Sequence, residues 1–317
     1  MHRFLAKPLD WLVIRAATAF LPRNRIDTER DPELEKFMED PLRFLLGDPG
    51  SPELNFSTPR NFTFRSPVRT PWPENNTVSG KLYRCVNESE RNPTVILLHG
   101  WNDNLGYTLR LPLYARLLNR SGLNAVIPRL PYHGPRRPQT RGAMRDFISS
   151  DPARMLEATR QAVLEIRALT TWLLDHKAGP VGLSGTSLGG WLGGLALCSD
   201  LRLRFGVLIT PIVSIEQAIR DLPFCEPVRR ALQEHPVRLN RMNLDAHHPK
   251  PPPERLLLIG ARHDLFLPPE KLESLAAAWG NPHLWHFDHG HISVAFSVRL
   301  ARKMAEWIHR TLAGDRE

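Results

Sequence analysis

Cysteine is scarce in this sequence of 317 residues, which contains only Cys85, Cys198 and Cys225. The number is odd and the spacings match no metal-ligand pattern, so the sequence indicates neither a disulfide framework nor a cysteine-based metal site. Such sparse use of cysteine suits a reducing compartment. We therefore expect a cytoplasmic protein.

Long apolar runs are also lacking. The N-terminal run from Leu9 to Leu21 is too short to span a bilayer, and Arg15 interrupts it. Pro22 and basic residues follow it, where a signal peptide would end in a cleavage site of small residues. The segment predicts an amphipathic helix that docks on the domain, with peripheral contact to a membrane surface as the alternative.

Acidic residues are fewer than basic ones: 33 Asp and Glu against 42 Lys and Arg give a formal net charge of +9. Such a surplus can favour anionic membranes, nucleic acid or acidic substrates. Here the excess is mostly arginine scattered along the chain, without a basic block or the aromatic-interleaved pattern of RNA-binding proteins. The composition predicts a generally basic surface and no nucleic-acid partner, and it leaves the oligomeric state undefined.

What the sequence does contain, from Lys81 onward, is an alternation of short apolar runs with helical patterns. This alternation is typical of a mostly parallel sheet covered by helices. Asp151 and Pro152 predict the start of a long helix that ends near Lys177. The runs that predict buried strands are Thr94–Leu98, Ala125–Ile127, Val181–Leu183, Gly206–Ile209, Leu256–Ile259 and His283–Phe287.

Two regions depart from the alternation. Residues 1–80 predict an N-terminal extension, made of the amphipathic helix and a proline-rich lead-in with candidate edge strands. Residues 212–253 are charged, proline-rich and weakly helical, which favours a cap inserted over the sheet. The α/β core would then comprise residues 81–211 and 254–317.

The strongest chemical signal is Gly185-Thr186-Ser187-Leu188-Gly189. It matches Gly-x-Ser-x-Gly, with a strand-like run before it and a helix-like run of small residues after it. A sharp turn between strand and helix strains the backbone at the serine and leaves room only for glycine on either side. The pattern predicts a nucleophile elbow with Ser187 as the nucleophile.

A serine hydroxyl needs a base and an orienting carboxylate, and in the fold that carries such a turn the chain order is Ser, then Asp or Glu, then His. Asp264 comes just after the apolar run Leu256–Ile259, where a loop would project over the end of the sheet. Two histidines follow the last predicted strand. We favour His291, because Gly290-His291 would open a helix, and His289 remains the competing base.

The developing oxyanion of acyl transfer requires hydrogen-bond donors. Leu188, directly after the nucleophile, would supply one backbone N–H group. The other would come from the loop after Thr94–Leu98, where Trp101 is the candidate through its amide. His99 in the same loop is interpreted as a structural hydrogen-bonding residue.

A second loop, from Pro128 to Pro138, should emerge near the same face because it also follows a predicted strand. Its candidate substrate-binding residues, in addition to His133, are Arg129, Arg136 and Arg137. The arginines could contact an anionic substrate group such as a phosphate or carboxylate. Alternatively they form structural pairs with acidic residues in the cap.

These motifs resemble the α/β-hydrolase superfamily in His99-Gly100-Trp101, in the elbow around Ser187, in Asp264 and in Gly290-His291. The loop Pro131-Tyr132-His133-Gly134-Pro135-Arg136-Arg137-Pro138 and the long helix are also similar to the abhydrolase domain-containing protein 18 group. The resemblance implies an α/β-hydrolase fold with a mostly parallel, eight-stranded sheet flanked by helices. It also implies no metal and no organic cofactor, and it covers about residue 81 to the end of the chain.

The expected function is that of a serine hydrolase that cleaves a small-molecule or lipid-like carboxylic ester through a Ser187–Asp264–His291 triad. An acyltransferase or thioesterase would use the same triad, with a different acceptor or thioester substrate. A third alternative is a non-catalytic hydrolase-fold protein that binds a partner or a membrane through its N-terminal extension. Superfamily membership alone does not decide among them.

Overall fold

Nine strands form a single sheet in the part of the chain described by the structure, a computed structural model. The described residues are 2–20, 45–85, 92–139, 147–148, 151–234 and 239–313. The strands are β1 (Asn55–Phe56), β2 (Asn61–Arg65), β3 (Thr77–Tyr83), β4 (Thr94–Leu98), β5 (Asn124–Pro128), β6 (Val181–Thr186), β7 (Gly206–Ile209), β8 (Leu256–Ala261) and β9 (His283–Phe287). All six strands predicted from the apolar runs are therefore present.

The spatial order of the strands is β1-β2-β3-β5-β4-β6-β7-β8-β9. Strand β2 pairs antiparallel with β1 and with β3, and β3 pairs antiparallel with β5. Every pair from β5 to β9 is parallel. The mostly parallel sheet is confirmed, and it has nine strands instead of eight because the two-residue β1 extends the antiparallel edge.

Helices cover both faces of this sheet. They are α1 (His2–Phe20), α2 (Leu111–Arg120), α3 (Pro152–Asp175), α4 (Leu188–Ser199), α5 (Ile215–Asp221), α6 (Glu226–Glu234), α7 (Pro269–Ala278), α8 (His291–Val294) and α9 (Val298–Ala313). A π-helical turn, Gly106–Arg110, leads into α2. Short 3-10 turns occupy Pro73–Asn76, Gly134–Arg136, Pro223–Cys225, Leu239–Met242, Leu244–Ala246 and Pro253–Arg255.

Two apolar cores result, one on each face, because successive side chains of a strand point to opposite sides. In β4, Ile96 belongs to the core formed with α3, α4 and α7, whereas Val95 belongs to the core formed with α2 and α9. In β8, Leu258 and Leu257 divide in the same way. The central strands are apolar on both faces for this reason and read as continuous apolar runs.

Local signals explain where the long helix α3 begins. Asp151 has an extended backbone, and its side chain accepts a hydrogen bond from the Arg154 N–H group at 3.2 Å. Pro152 occupies the first helical position, where its missing N–H group costs nothing. The helix runs to Asp175, close to the predicted end at Lys177.

The described parts of the predicted extension and cap lie against the body. Helix α1 packs against α8 and the turn Pro223–Cys225, whereas residues 21–44 of the predicted lead-in lie outside the described residues. Residues 55–80 add β1, β2 and the beginning of β3 to the sheet. The division into extension, core and cap stays a prediction.

Within the described helices, no stretch combines the length and apolar character needed to cross a membrane.

Candidate active site

Ser187 lies at the sharp turn between β6 and α4. Its backbone has φ 54° and ψ −116°, a strained conformation for a residue with a side chain. Hydrogen bonds hold the turn on both sides: the Ser187 N–H group donates to the Ile209 carbonyl at 2.9 Å, and the Trp191 N–H group donates to the Ser187 carbonyl at 3.0 Å. The turn therefore presents the hydroxyl at the carboxyl end of the parallel strands.

Glycine is required on both sides of this turn. A Cβ atom on Gly185 would lie 2.1 Å from the Gly189 carbonyl oxygen. A Cβ atom on Gly189 would lie 2.5 Å from the His99 carbonyl oxygen. Because these neighbours are backbone atoms, they could not move aside without displacing α4 or β4.

The structure brings Ser187, Asp264 and His291 together. The His291 Nε2 atom lies 2.9 Å from the Ser187 Oγ atom. The other ring nitrogen, Nδ1, lies 2.8 Å from the Asp264 Oδ2 atom. The Phe266 ring stacks on the imidazole with the ring centroids 4.5 Å apart, which restricts the orientation of the ring.

Asp264 is fixed by the loop that follows β8. Its Oδ1 atom accepts hydrogen bonds from the Phe266 N–H group at 2.8 Å and from the Leu267 N–H group at 2.9 Å. Oδ2 is thereby left to face His291. The carboxylate is almost fully buried and is oriented by its own loop.

The electrostatic balance at His291 favours the imidazolium form. Burial alone lowers the pKa of His291, but the charge and hydrogen bond of Asp264, together with the charge of Asp10, raise it by more. The net shift is upward from the ordinary value. A ring in this position can accept a proton, and the Asp264 carboxylate stabilises the resulting imidazolium.

The competing histidines occupy other positions. The His289 Nδ1 atom lies 3.3 Å from the Ser293 Oγ atom. His263 pairs with Asp288 at 2.6 Å. Among the described residues, His291 is the histidine that contacts Ser187, and it begins α8 directly after Gly290 as the sequence pattern predicted.

Leu188 is the first residue of α4. The first N–H groups of a helix have no acceptor within the helix, so the Leu188 amide is suited to an anion next to Ser187. This is the position that the sequence assigned to the first oxyanion donor.

Two buried histidines support the loop that contains Trp101. The His133 Nε2 atom accepts a hydrogen bond from the Asn102 N–H group at 3.1 Å, and the His99 Nε2 atom accepts one from the Leu130 N–H group at 3.1 Å. Burial lowers the pKa of His99 to about 3 and also lowers that of His133, so both rings remain neutral acceptors. His99 thus occupies the structural position that we expected of it.

The structure contradicts the predicted role of Arg136 in binding an anionic substrate group. Arg136 is 1% exposed, and its guanidinium donates to both carboxylate oxygens of Glu165, at 2.6 and 2.7 Å. Ser66 donates to the same carboxylate at 2.6 Å. Arg136 and Glu165 form a buried ion pair, so Arg136 has a structural role, although its partner lies in α3 and not in the predicted cap.

The other residues of that loop also contact protein groups. The Arg129 guanidinium lies 3.6 Å from the centroid of the Tyr107 ring, and Arg137 donates to the Asn102 side chain at 2.7 Å. His133 is buried below the Trp101 loop. None of the four predicted substrate-binding residues is among the described residues that line the pocket beside Ser187.

That pocket is mostly apolar and contains the Ser187 hydroxyl and the His291 ring. The Trp101 ring forms part of its wall and stacks on Phe224, with the ring centroids 5.1 Å apart. Val13 of α1 also lines it. The remaining apolar side chains of the lining include Ile148, Met155, Ile212, Ile215, Ile219, Leu222, Leu267 and Phe296.

Two features of the site were not predicted from the sequence. Arg110 lines the pocket, pairs with Asp103 and donates to the Thr186 hydroxyl at 3.4 Å. Asp10, from α1, accepts hydrogen bonds from backbone N–H groups of His291 and its neighbours. The sequence held one sign of a role for Asp10, which is an acidic residue inside the apolar N-terminal run. No sequence pattern pointed to Arg110.

The sheet order and the strand–serine–helix turn define an α/β-hydrolase fold, and solved structures agree. An acetyl xylan esterase from Paenibacillus sp. R4 is similar with a TM-score of 0.59 and 16% identity, covering 92% of this chain and 98% of that one. Est1E from Butyrivibrio proteoclasticus has a TM-score of 0.54 and 14% identity, covering 75% and 95%. The Pyrococcus furiosus esterase Pf2001 has a TM-score of 0.55 and 19% identity, covering 92% and 97%.

The chain belongs to the family named Alpha/beta hydrolase domain containing 18, whose match covers residues 53–237, more than half of the sequence. This match includes Trp101 and Ser187 and ends before Asp264 and His291. An uncharacterised protein of Mycobacterium tuberculosis, MT2702, is 27% identical over 235 residues, which is 68% of this chain and 54% of that protein. The chain thus spans about half the length of the curated relatives it matches.

The Arg136–Glu165 pair yields a test of its structural role. In Glu165→Gln the buried guanidinium loses its counter-charge, so we expect the free energy of unfolding to fall by about 3 kcal/mol. Urea denaturation followed by circular dichroism measures this loss. Glu226→Gln is the matched control, because Glu226 pairs with arginines at the surface and should change stability far less. Equal effects of the two substitutions would contradict a structural role for the buried pair.

Proposed function

We propose that this protein is a serine hydrolase that cleaves carboxylic esters through an acyl-enzyme intermediate. The main support is one continuous hydrogen-bonded line, from Asp264 through both nitrogens of the His291 ring to the Ser187 hydroxyl. Several solved structures of the same fold carry the name esterase, which favours an ester substrate.

In the proposed first step, His291 Nε2 takes the proton of the Ser187 hydroxyl while Ser187 Oγ attacks the ester carbonyl carbon. The carbonyl π electrons move to oxygen, and the amides of Leu188 and Trp101 stabilise the oxyanion. The intermediate collapses, the carbon–oxygen bond to the alcohol breaks, and the imidazolium returns its proton to the departing alkoxide. Asp264 stabilises the imidazolium without taking its proton.

Deacylation repeats these events with water. His291 accepts a proton from water, the resulting hydroxide adds to the acyl carbonyl, and Ser187 Oγ leaves with the proton that His291 returns. The products are a carboxylic acid, an alcohol and the free enzyme. An acyl acceptor other than water would convert the same chemistry into acyl transfer.

The apolar lining of the pocket favours an acyl group or another apolar portion of the substrate. Hydrophobic residues of α5 and of the turn after it line the same pocket as Ser187. A methylene group buried against them contributes about 0.8 kcal/mol. We propose a small-molecule or lipid-like ester as substrate, and peripheral membrane contact through α1 remains a separate proposal.

Ser187→Ala tests the nucleophile. We expect the wild-type protein to react with a fluorophosphonate probe and the variant to show no labelling and no ester turnover, because the probe forms its bond to the activated Oγ atom. In-gel fluorescence and hydrolysis of p-nitrophenyl esters are the measurements. Ser199→Ala is the control, since Ser199 is a buried serine at the far end of α4. Full labelling of Ser187→Ala would refute the assignment, and an unreactive wild type would favour the non-catalytic alternative.

His291→Ala and His289→Ala form a matched pair of substitutions two positions apart. Loss of the base should lower kcat/KM at least about a thousandfold in His291→Ala, and His289→Ala should stay within a few-fold of wild type. Steady-state hydrolysis of a short ester across pH gives both values. Near-wild-type activity of His291→Ala would transfer the role of base to His289.

Ala218→Phe tests the binding of the acyl chain. Ala218 lines the pocket from α5, so a phenyl ring there should displace methylene groups of longer acyl chains. Displacement of two of them would lower kcat/KM about tenfold on p-nitrophenyl octanoate and leave the acetate nearly unchanged. Ala218→Ser, which adds little volume, is the control. An equal loss of kcat/KM on all chain lengths would count against an acyl pocket.

A series of esters that differ in charge would test separately whether the site recognises anions.

A further inference from the structure

A buried carboxylate from the N-terminal helix lies directly behind the His291 backbone. Asp10 is 0% exposed. Its Oδ2 atom accepts hydrogen bonds from the His291 N–H group at 2.8 Å and the Leu265 N–H group at 3.2 Å. Its Oδ1 atom accepts one from the Ile292 N–H group at 3.0 Å. All three donors are backbone groups next to members of the triad or within it.

Two of these donors belong to the beginning of α8. His291 and Ile292 are its first two residues, and the residue before them is Gly290. The first N–H groups of a helix lack acceptors within the helix, and a polar side chain at the preceding position usually supplies one. Gly290 has no side chain, so Asp10 supplies the acceptors from another helix.

The third donor connects the same carboxylate to the loop of the acid. Leu265 directly follows Asp264, and its N–H group shares the Oδ2 atom of Asp10 with His291. One side chain thereby fixes the backbone beside the carboxylate of the triad relative to the backbone of the imidazole. The separation of the two groups is set in part by a residue that accepts hydrogen bonds from the backbone on both sides.

Gly290 is the residue that permits this contact. A Cβ atom there would lie 2.8 Å from the Ala6 carbonyl oxygen and 2.8 Å from the Asp10 Oδ2 atom. Any other residue would therefore push α1 away from α8. The contact between α1 and α8 therefore depends both on Gly290 and on Asp10.

From this geometry we propose that Asp10 is a positioning residue of the active site, which holds His291 and the Asp264 loop in register for proton transfer. The inference rests on the proposed serine-hydrolase function. It assigns a role to α1 that differs from membrane contact.

The charge of Asp10 also affects the pKa of His291, which can be measured separately from activity. Asp10 raises the pKa of His291 in addition to the larger contribution of Asp264. Burial raises the pKa of Asp10 itself, and the three backbone N–H groups act against this shift. Among the described residues, the elements around the site also carry the Arg110–Asp103 pair in the pocket, the His263–Asp288 pair and His289.

The test compares Asp10→Asn with wild type. The amide keeps the shape of the side chain but loses the charge and one acceptor, so we expect kcat to fall about tenfold while KM stays within about twofold. The acid limb of kcat/KM against pH should move to lower pH, because His291 loses a stabilising negative charge. Asp200→Asn is the control: Asp200 is a buried acid paired with Arg202, and its loss should reduce stability without moving the pH profile.

Active-site titration with the fluorophosphonate corrects both variants for misfolded protein. An Asp10→Asn variant with wild-type kcat and pH profile would overturn the inference while the proposed function stands. A fall in kcat with an unmoved pH profile, matched by Asp200→Asn, would also overturn it, since general destabilisation would then explain the loss. Asp10→Glu, whose longer side chain keeps the charge, should retain the pH profile even where kcat falls.

An NMR titration of the His291 ring separates failure of the inference from failure of the proposed function. If the wild-type protein neither reacts with the probe nor hydrolyses esters, the proposed function fails. The ring pKa, measured without substrate, should still be lower in Asp10→Asn than in wild type. An unchanged ring pKa would overturn the inference in that case.

Discussion

The strained backbone at Ser187 is the constraint on which the rest of the site depends. A positive φ at a residue with a side chain costs of the order of 1–3 kcal/mol and persists only where the surroundings enforce it. Here they do so through the close contact of α4 with β4 and β6, which the glycines at positions 185 and 189 permit, and through the hydrogen bond to the carbonyl of Ile209. Since β7 supplies that carbonyl, the position of the hydroxyl is a property of the whole sheet.

Much of this arrangement could be predicted because it depends on local patterns. Apolar runs with β-branched residues identified the central strands, since a strand buried on both faces is predominantly apolar. The glycines around Ser187 identified the turn, and the chain order of nucleophile, acid and base restricted the remaining candidates. His291 and Asp264 lie together in the structure because β8 and β9 are parallel and end at the same edge.

The remaining features depend on contacts between distant segments, which one sequence does not reveal. The arginines near residue 133 resembled an anion site, yet Arg136 pairs with the carboxylate of Glu165, a residue of the long helix α3. Ordinary helical periodicity gives no sign of that pairing. The role of Asp10 was equally hidden, because its partners are backbone amides, which every residue possesses. An acid in an apolar run signals burial, but not the groups that it meets.

The contact between Asp10 and His291 joins residues 281 positions apart. A contact of such long sequence separation carries the entropic cost of closing the loop between its partners. During synthesis on the ribosome, Asp10 emerges long before the His291 backbone N–H group that donates to it. Strands β1 to β7 are therefore synthesised before the proposed site of Ser187, Asp264 and His291 can be assembled.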